Sequence, residues 1–270
     1  MDLESLLFGW QGDGGRLVFL TGAGVSAESG IPTFRGADGF WTFGSKNYSA
    51  MDLATKAMFA REPETVWSWY LMRFAACASA RPNAAHRAIA GLQTKYGERV
   101  ALVTQNIDAL HVRAGSPPEH TYAIHGDARF IRCSEGCTRQ LVPFPAFDAD
   151  EVRRGPSERL RKVLRCARCK RWMRPHVLWF DEFYDEQHYR SESAFAAARS
   201  ATMLVVVGTT GATTLPMRIG EHCRDQGVPV VDVNVEATVF SEIAERRGAV
   251  VRQPAATAVA RIAKILGLET

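Results

Sequence analysis

Cys133 and Cys137 form one close cysteine pair, and Cys166 and Cys169 form a second, with a charged, non-periodic segment between them. Two such pairs match a tetrahedral zinc site closed by four thiolates, which would hold the fold and leave chemistry to other residues. Unrelated buried thiols or a redox pair are the alternative, but turn-forming or charged neighbours (Ser134-Glu135-Gly136; Arg165, Arg168, Lys170) favour the metal. A different chemistry is written in Gly22-x-Gly24-x-x-Ala27, reached directly from the apolar run Leu17 to Thr21. This is the Gly/Ala form of a dinucleotide-phosphate cradle, where glycines allow close backbone approach and Ser26 and Ser29 add hydroxyl donors. Its sequel is unusual. A helix breaker, Gly30-Ile31-Pro32, and then Phe34-Arg35 stand where a long helix and a second strand ending in an acid would be expected. A third cluster is Thr104-Gln105-Asn106-Ile107-Asp108, followed by His125-Gly126. Amides and a carboxylate at a strand tip can hold ribose hydroxyls or a carboxamide, and a histidine is the usual base near neutral pH. Seven histidines compete for that role; His125 stands out because it ends an apolar run before a glycine.

The elements that must position these groups are legible as runs. Leu17 to Thr21, Val100 to Thr104, Met203 to Val207 and Val228 to Val233 are apolar and end in small or polar residues, the pattern of a parallel sheet covered on both faces. Ligands bind beyond the carboxyl ends of such strands, so the polar tips should share one crevice. Helices are expected over 64–78, over 83–96 with Asn83 as N-cap and Gly97 following, over 216–226 before Gly227, and over 255–266 before Gly267. Cys77 and Cys223 fall in helical stretches and read as small core residues. With 270 residues and 46% hydrophobic content, the chain can form a main domain with a smaller one inserted. A net charge of +4, with cations scattered among acids, indicates no nucleic-acid footprint. The acidic N-terminus and the absence of a membrane-length apolar run point to a cytoplasmic enzyme with no membrane partner.

Taken together, Gly22-Ala23-Gly24-Val25-Ser26-x-x-Ser29-Gly30-Ile31-Pro32-x-Phe34-Arg35, Thr104 to Asp108, His125-Gly126, the cysteine pairs, Arg174-Pro175-His176-Val177 and Asn234-Val235-Glu236 resemble the sirtuins, in the same order along the chain. The resemblance implies an NAD-dependent protein-lysine deacylase, with acylated lysine side chains of proteins as its partners. NAD would be a co-substrate and one zinc ion would be structural. It implies a Rossmann-like α/β domain over 1–40, 85–128 and 180–270, and a small domain made of a helical module, 41–84, and a zinc module, 129–179. A monomer is compatible with this organisation.

By the same resemblance Gly22, Ala23, Gly24, Ser26 and Arg35 would hold the dinucleotide, and Phe34 would shield the reactive ribose carbon. Asn106 and Asp108 would orient nicotinamide and ribose, Gln105 would bind the ribose hydroxyls, and Ile107 would be a further cofactor-binding residue. His125 would be the general base, and Gly208, Thr209, Thr210, Asn234 and Glu236 would border the adenosine half. Tyr70-x-x-Arg73 lies on a largely apolar helical stretch, where pattern alone favours a structural ion pair or a snorkelling arginine. The resemblance reverses that preference: the motif is similar to the sirtuin branch that removes succinyl, malonyl and glutaryl groups. There Tyr70 and Arg73 would bind the distal carboxylate, and Ala54 would leave room for it. Val177, Trp179 and Phe180 would line the substrate peptide. Two departures stand out: Phe180-Asp181-Glu182 replaces the usual Phe-Gly-Glu, and Thr210 replaces a serine in the 208–216 loop. An NAD hydrolase or ADP-ribosyltransferase on the same scaffold, a non-catalytic zinc-stapled binding module and, less readily, a dehydrogenase are the rival readings.

Overall fold

Runs of β-branched and aliphatic residues too short for buried helices pair here into sheets. A computed structural model describes residues 2–32, 40–43 and 46–268, so Phe34 and Arg35 lie outside the described residues. In chain order the strands are β1 (Arg16–Thr21), β2 (Phe40–Phe43), β3 (Lys46–Ser49), β4 (Val100–Thr104), β5 (Thr121–Ala123), β6 (Gly126–Cys133), β7 (Val142–Pro143), β8 (Met173–Val177), β9 (Ala201–Val207), β10 (Val230–Val233) and β11 (Gly248–Val251). The main sheet has the order β11-β10-β9-β1-β4-β5, and every pairing in it is parallel. The four expected strands occupy its centre. The two edges, β5 and β11, are only three and four residues long and carry too little pattern to be seen in sequence.

Two apolar clusters cover the two faces of this sheet. One joins Leu17, Phe19, Leu102, Val205 and Val231 to helices Leu3–Asp13, Ala84–Tyr96 and Ala255–Ile265. The other joins Val18, Leu20, Val103, Val206 and Val230 to helices Ser191–Arg199, Thr214–Asp225 and Val239–Arg246. Alternation along β1 sends Leu17 and Phe19 to one face and Val18 and Leu20 to the other. Cys223 is buried in the second cluster.

A third cluster stands apart from both. It packs the helix Pro63–Ser79, through Val66, Trp67, Tyr70 and Phe74, against Ile131, Cys133, Cys166, Met173 and Trp179 of the antiparallel sheet β7-β6-β8 and its flanks. The helix starts with Pro63 at its first turn, where a missing N–H costs nothing. Phe144 stacks on Trp67, their ring centroids 5.5 Å apart, and Trp67 Nε1 donates to the Met173 carbonyl at 3.1 Å. Residues about a hundred positions apart thus share one core. Among the described residues no helix is long and apolar enough to cross a membrane.

Candidate active site

The parallel strands end level with one another. Thr21 lies opposite Thr104 and Val207, Val207 opposite Val233, and Thr104 opposite Ala123. Each ladder runs one bond further, through Gly22 N to Val207 O (3.0 Å), Gln105 N to Thr21 O (2.9 Å), Gly208 N to Val233 O (3.0 Å) and Asn234 N to Val251 O (3.2 Å). Residues from four separate sequence motifs therefore emerge side by side along one sheet edge, with the order reversing at β1, where open α/β sheets hold ligands.

Across the β1–β9 crevice the glycines face each other. Gly24 N donates to Gly208 O at 2.9 Å, and a Cβ on Gly24 would stand 2.7 Å from Gly208 Cα. Gly208 has φ +61°, and a Cβ there would meet Gly24 C and Val25 N at 2.5 Å. These glycines are thus required for backbone-to-backbone packing as well as for ligand approach. The backbone then turns through a seven-residue 3-10 helix, Ala23–Ser29, which buries Ser26.

Ser26 Oγ is a three-way junction. It donates to Asp108 Oδ2 at 2.7 Å and accepts from Asn106 Nδ2 at 3.0 Å. Its third partner is His86 Nε2 at 3.3 Å. Asn83 caps the Ala84–Tyr96 helix, and His86 Nδ1 lies 3.2 Å from its N–H and 3.0 Å from its Oδ1, which ties the ring to the cap. Burial holds His86 neutral, its pKa drawn down to about 4, with Arg87 adding to the effect. Burial also raises the Asp108 carboxyl, against hydrogen bonds from Leu110, Ser26 and Asn106 that favour its charge. Leu110 N reaches Asp108 Oδ1 at 2.8 Å because Ala109 adopts the left-handed region (φ 60°, ψ 13°), a local strain placed where the carboxylate is aimed. Neither His86 nor Ala109 was a sequence expectation.

His125 lies one residue beyond the Ile124 bond to Thr104, and its Nε2 is 2.8 Å from the Tyr184 hydroxyl. Burial pulls its pKa to about 4, opposed by a hydrogen bond to the Gln105 backbone. Burial pushes the Tyr184 phenol up to about 12, so at neutral pH the hydroxyl beside His125 Nε2 keeps its proton. Tyr184 was also missed; nothing local marks it. Gln105 Nε2 donates to Thr209 Oγ1 at 2.8 Å, and Thr213 Oγ1 donates to Gln105 Oε1 at 3.1 Å, knitting the 208–216 loop to the crevice. Thr209, not Thr210, supplies the buried hydroxyl, whereas Thr210 and Glu236 stand exposed at the rim. The Asn234 amide is turned onto Asp232, a buried carboxylate also held by Ser241 and Arg252.

On the other flank, Tyr70 is buried and its hydroxyl accepts from Trp179 Nε1 at 2.9 Å. Burial keeps this phenol protonated, so its own proton remains to be donated. One turn on, the Arg73 guanidinium lies 5.2 Å from the Trp69 ring centroid. Burial lowers its pKa, opposed by electrostatic interaction with Tyr70, Cys77 and Asp108. Ala54, Ile107 and Val177 are buried in the same cluster as Tyr70 and Trp179, while Phe180 is 53% exposed. The segment from Val177 onward is tied down throughout: Leu178 N to His125 O (2.9 Å), Trp179 N to Glu182 Oε2 (3.1 Å) and Phe180 N to Ala54 O (3.0 Å). Arg174 sits 3.4 Å over the Trp179 ring and pairs with Glu182.

The four cysteine sulfurs lie within 4.8 Å of one another. This donor set fits a tetrahedral thiolate site for zinc. The N–H groups of Cys169 and Arg168 draw the Cys166 thiol down, whereas hydrogen bonding among the crowded sulfurs and burial push Cys137 and Cys169 up.

Residues 22–214 match the family model described as Sir2 family. The NAD-dependent protein deacylase of Aeropyrum pernix is 36% identical over 252 residues, 93% of each chain. The mitochondrial NAD-dependent protein deacylase sirtuin-5 of Danio rerio is 39% identical over 82% of this chain and 74% of its own. Among solved structures, a Sir2 homologue in complex with NAD superposes with a TM-score of 0.80 at 32% identity, over 98% of this chain and 93% of that one. The crevice at the strand ends, the four-cysteine cluster and these likenesses agree: the chain belongs to the Sir2 family.

Proposed function

We propose that this chain is an NAD-dependent protein-lysine deacylase that transfers the acyl group to ADP-ribose with release of nicotinamide, and that it prefers succinyl-, malonyl- or glutaryl-lysine to acetyl-lysine. In this reading residues 1–40, 85–128 and 180–270 form the NAD-binding domain, and 41–84 and 129–179 form the small domain. NAD, when bound, supplies the nicotinamide–ribose bond that is broken. Gly22, Ala23, Gly24 and Ser26 hold its phosphates, with Gln105, Ile107, Gly208, Thr209, Thr210, Asn234 and Glu236 along its length and Phe34 and Arg35 over the ribose. Asn106 and Asp108, fixed through Ser26, orient the ribose and the carboxamide. His125 takes the ribose proton on Nε2, displacing the Tyr184 hydroxyl. Val177, Trp179 and Phe180 flank the peptide.

One observation carries the acyl preference: a desolvated Arg73 one turn from the buried Tyr70 hydroxyl, within the electrostatic reach of Asp108. A guanidinium and a phenolic proton together make a receptor for a carboxylate, and the small Ala54 side chain leaves room for it. The test is NAD-dependent turnover of one peptide bearing succinyl- or acetyl-lysine, with products followed by mass. The succinyl form should react faster, and Arg73→Met should slow it about 100-fold while sparing the acetyl form, the loss expected when one partner of a desolvated charge pair is removed. Faster acetyl turnover, unaffected by Arg73→Met, overturns the preference.

A further inference from the structure

Asp181 stands where sirtuins usually carry glycine, and its surroundings explain what a carboxylate does there. Helix Lys56–Arg61 begins at Thr55, whose hydroxyl accepts from Met58 N at 3.0 Å. The N–H groups of its first two residues would remain bare. Asp181 takes both: Lys56 N donates to Oδ1 at 2.7 Å and Ala57 N to Oδ2 at 3.0 Å. Immediately before this helix, Ala54 offers its carbonyl to Phe180 N at 3.0 Å. Two consecutive residues of the 177–182 segment thus clasp two ends of one turn, donor to acceptor and acceptor to donor. That turn carries Ala54, and the segment carries Trp179, whose indole holds the Tyr70 hydroxyl.

We propose that Asp181 is a positioning residue that sets acyl selectivity. Its carboxylate locks the Ala54 turn to the peptide-lining segment, which fixes the width between Ala54 and the Tyr70–Trp179 pair. Glycine at this position leaves only the Phe180–Ala54 bond, and the wall can then retreat. The inference rests on the deacylase reading above, because selectivity has meaning only if an acyl-lysine enters there.

The experiment compares the full-length, zinc-loaded wild type with Asp181→Gly and Asp181→Asn. Three readouts are followed: kcat/KM for succinyl and acetyl forms of one peptide, KM for NAD, and amide hydrogen exchange at Lys56, Ala57 and residues 178–182. Asp181→Gly should speed exchange at both sites together and lower the succinyl-to-acetyl ratio about tenfold, the scale of a small misplacement of bound groups. KM for NAD should stay within about twofold. Asp181→Asn, which keeps one acceptor oxygen, should recover most of the ratio. An unchanged ratio in Asp181→Gly, despite faster exchange at Lys56 and Ala57, would reduce Asp181 to a helix cap and overturn the proposal. So would exchange that rises at 56–57 without rising at 178–182. Wild type with no peptide-dependent nicotinamide release fails the deacylase reading instead, and the exchange data still decide whether the clasp exists.

Discussion

The two flanks of the candidate site are built by different means. The sheet-end flank is made of backbone: strands in level register, glycines packed against each other, and one buried serine that collects the side chains. The opposite flank is made of side chains: Trp67, Tyr70, Trp179 and their neighbours share a single aromatic cluster across a helix and a three-stranded sheet stapled by cysteines. The first owes its shape to two clusters on either face of a six-stranded sheet, the second to one cluster and a metal site. Each should therefore fail under a different stress, and the reaction needs both.

Metal removal is the largest expected effect. A structural zinc site contributes on the order of 10 kcal/mol to the fold around it. Stripping it with a chelator, or replacing Cys166 with serine, should abolish turnover and red-shift tryptophan fluorescence from Trp67, Trp69 and Trp179. Far-UV circular dichroism of the parallel-sheet region should largely persist. Loss of all secondary structure at one midpoint would show that the flanks are a single cooperative unit.

Acid should weaken the fold at both flanks, because His86, His111 and His125 at the sheet end and His176 on β8 are all buried neutral. The sign follows from linkage. The pKa of His86 is about 4 in the fold against 6.5 in the open chain, so the unfolded state takes the proton first. The contribution of His86, on the order of 3 kcal/mol, is complete above pH 6.5 and is lost as pH falls toward 4. Thermal melts from pH 7.5 to 4.5, with bound zinc measured alongside, should show Tm dropping while metal is still held. A flat Tm above the pH of zinc release would contradict this.

Gly24→Ala is the smallest and most local of these changes. Its methyl must displace backbone across the crevice, an overpacking cost of roughly 1–3 kcal/mol. KM for NAD should rise and KM for the acyl-peptide should stay close to wild type. Equal damage to both would mean that the crevice and the peptide side are mechanically coupled.

Much of the sheet-end flank was legible in the sequence, because strand tips and their motifs are contiguous there. The expected β1, β4, β9 and β10 runs, the Asn83 cap and the four cysteines all appear where pattern placed them. What escaped was made by tertiary approach. His86 is an ordinary third residue of a helix until the fold brings it to Ser26, and Tyr184 is an ordinary tyrosine until it meets His125. Asp181 looked like a disturbance of a familiar motif, since its partners lie 124 and 125 positions away. Of the two threonines beyond β9, Thr209 is buried and Thr210 is exposed, a difference set by the turn at Gly208 (φ +61°) that the sequence pattern does not show.

The Ser26 junction has a consequence for how the protein matures. Its three partners come from a helix start at position 86 and a strand tip at positions 106 and 108, so no local segment can assemble it. The Ser26, His86, Asn106 and Asp108 cluster is complete only after β1, β4 and the Ala84–Tyr96 helix have docked. A nascent or half-folded chain therefore presents no finished site and spends no NAD, which makes folding itself the first checkpoint on consumption of the co-substrate.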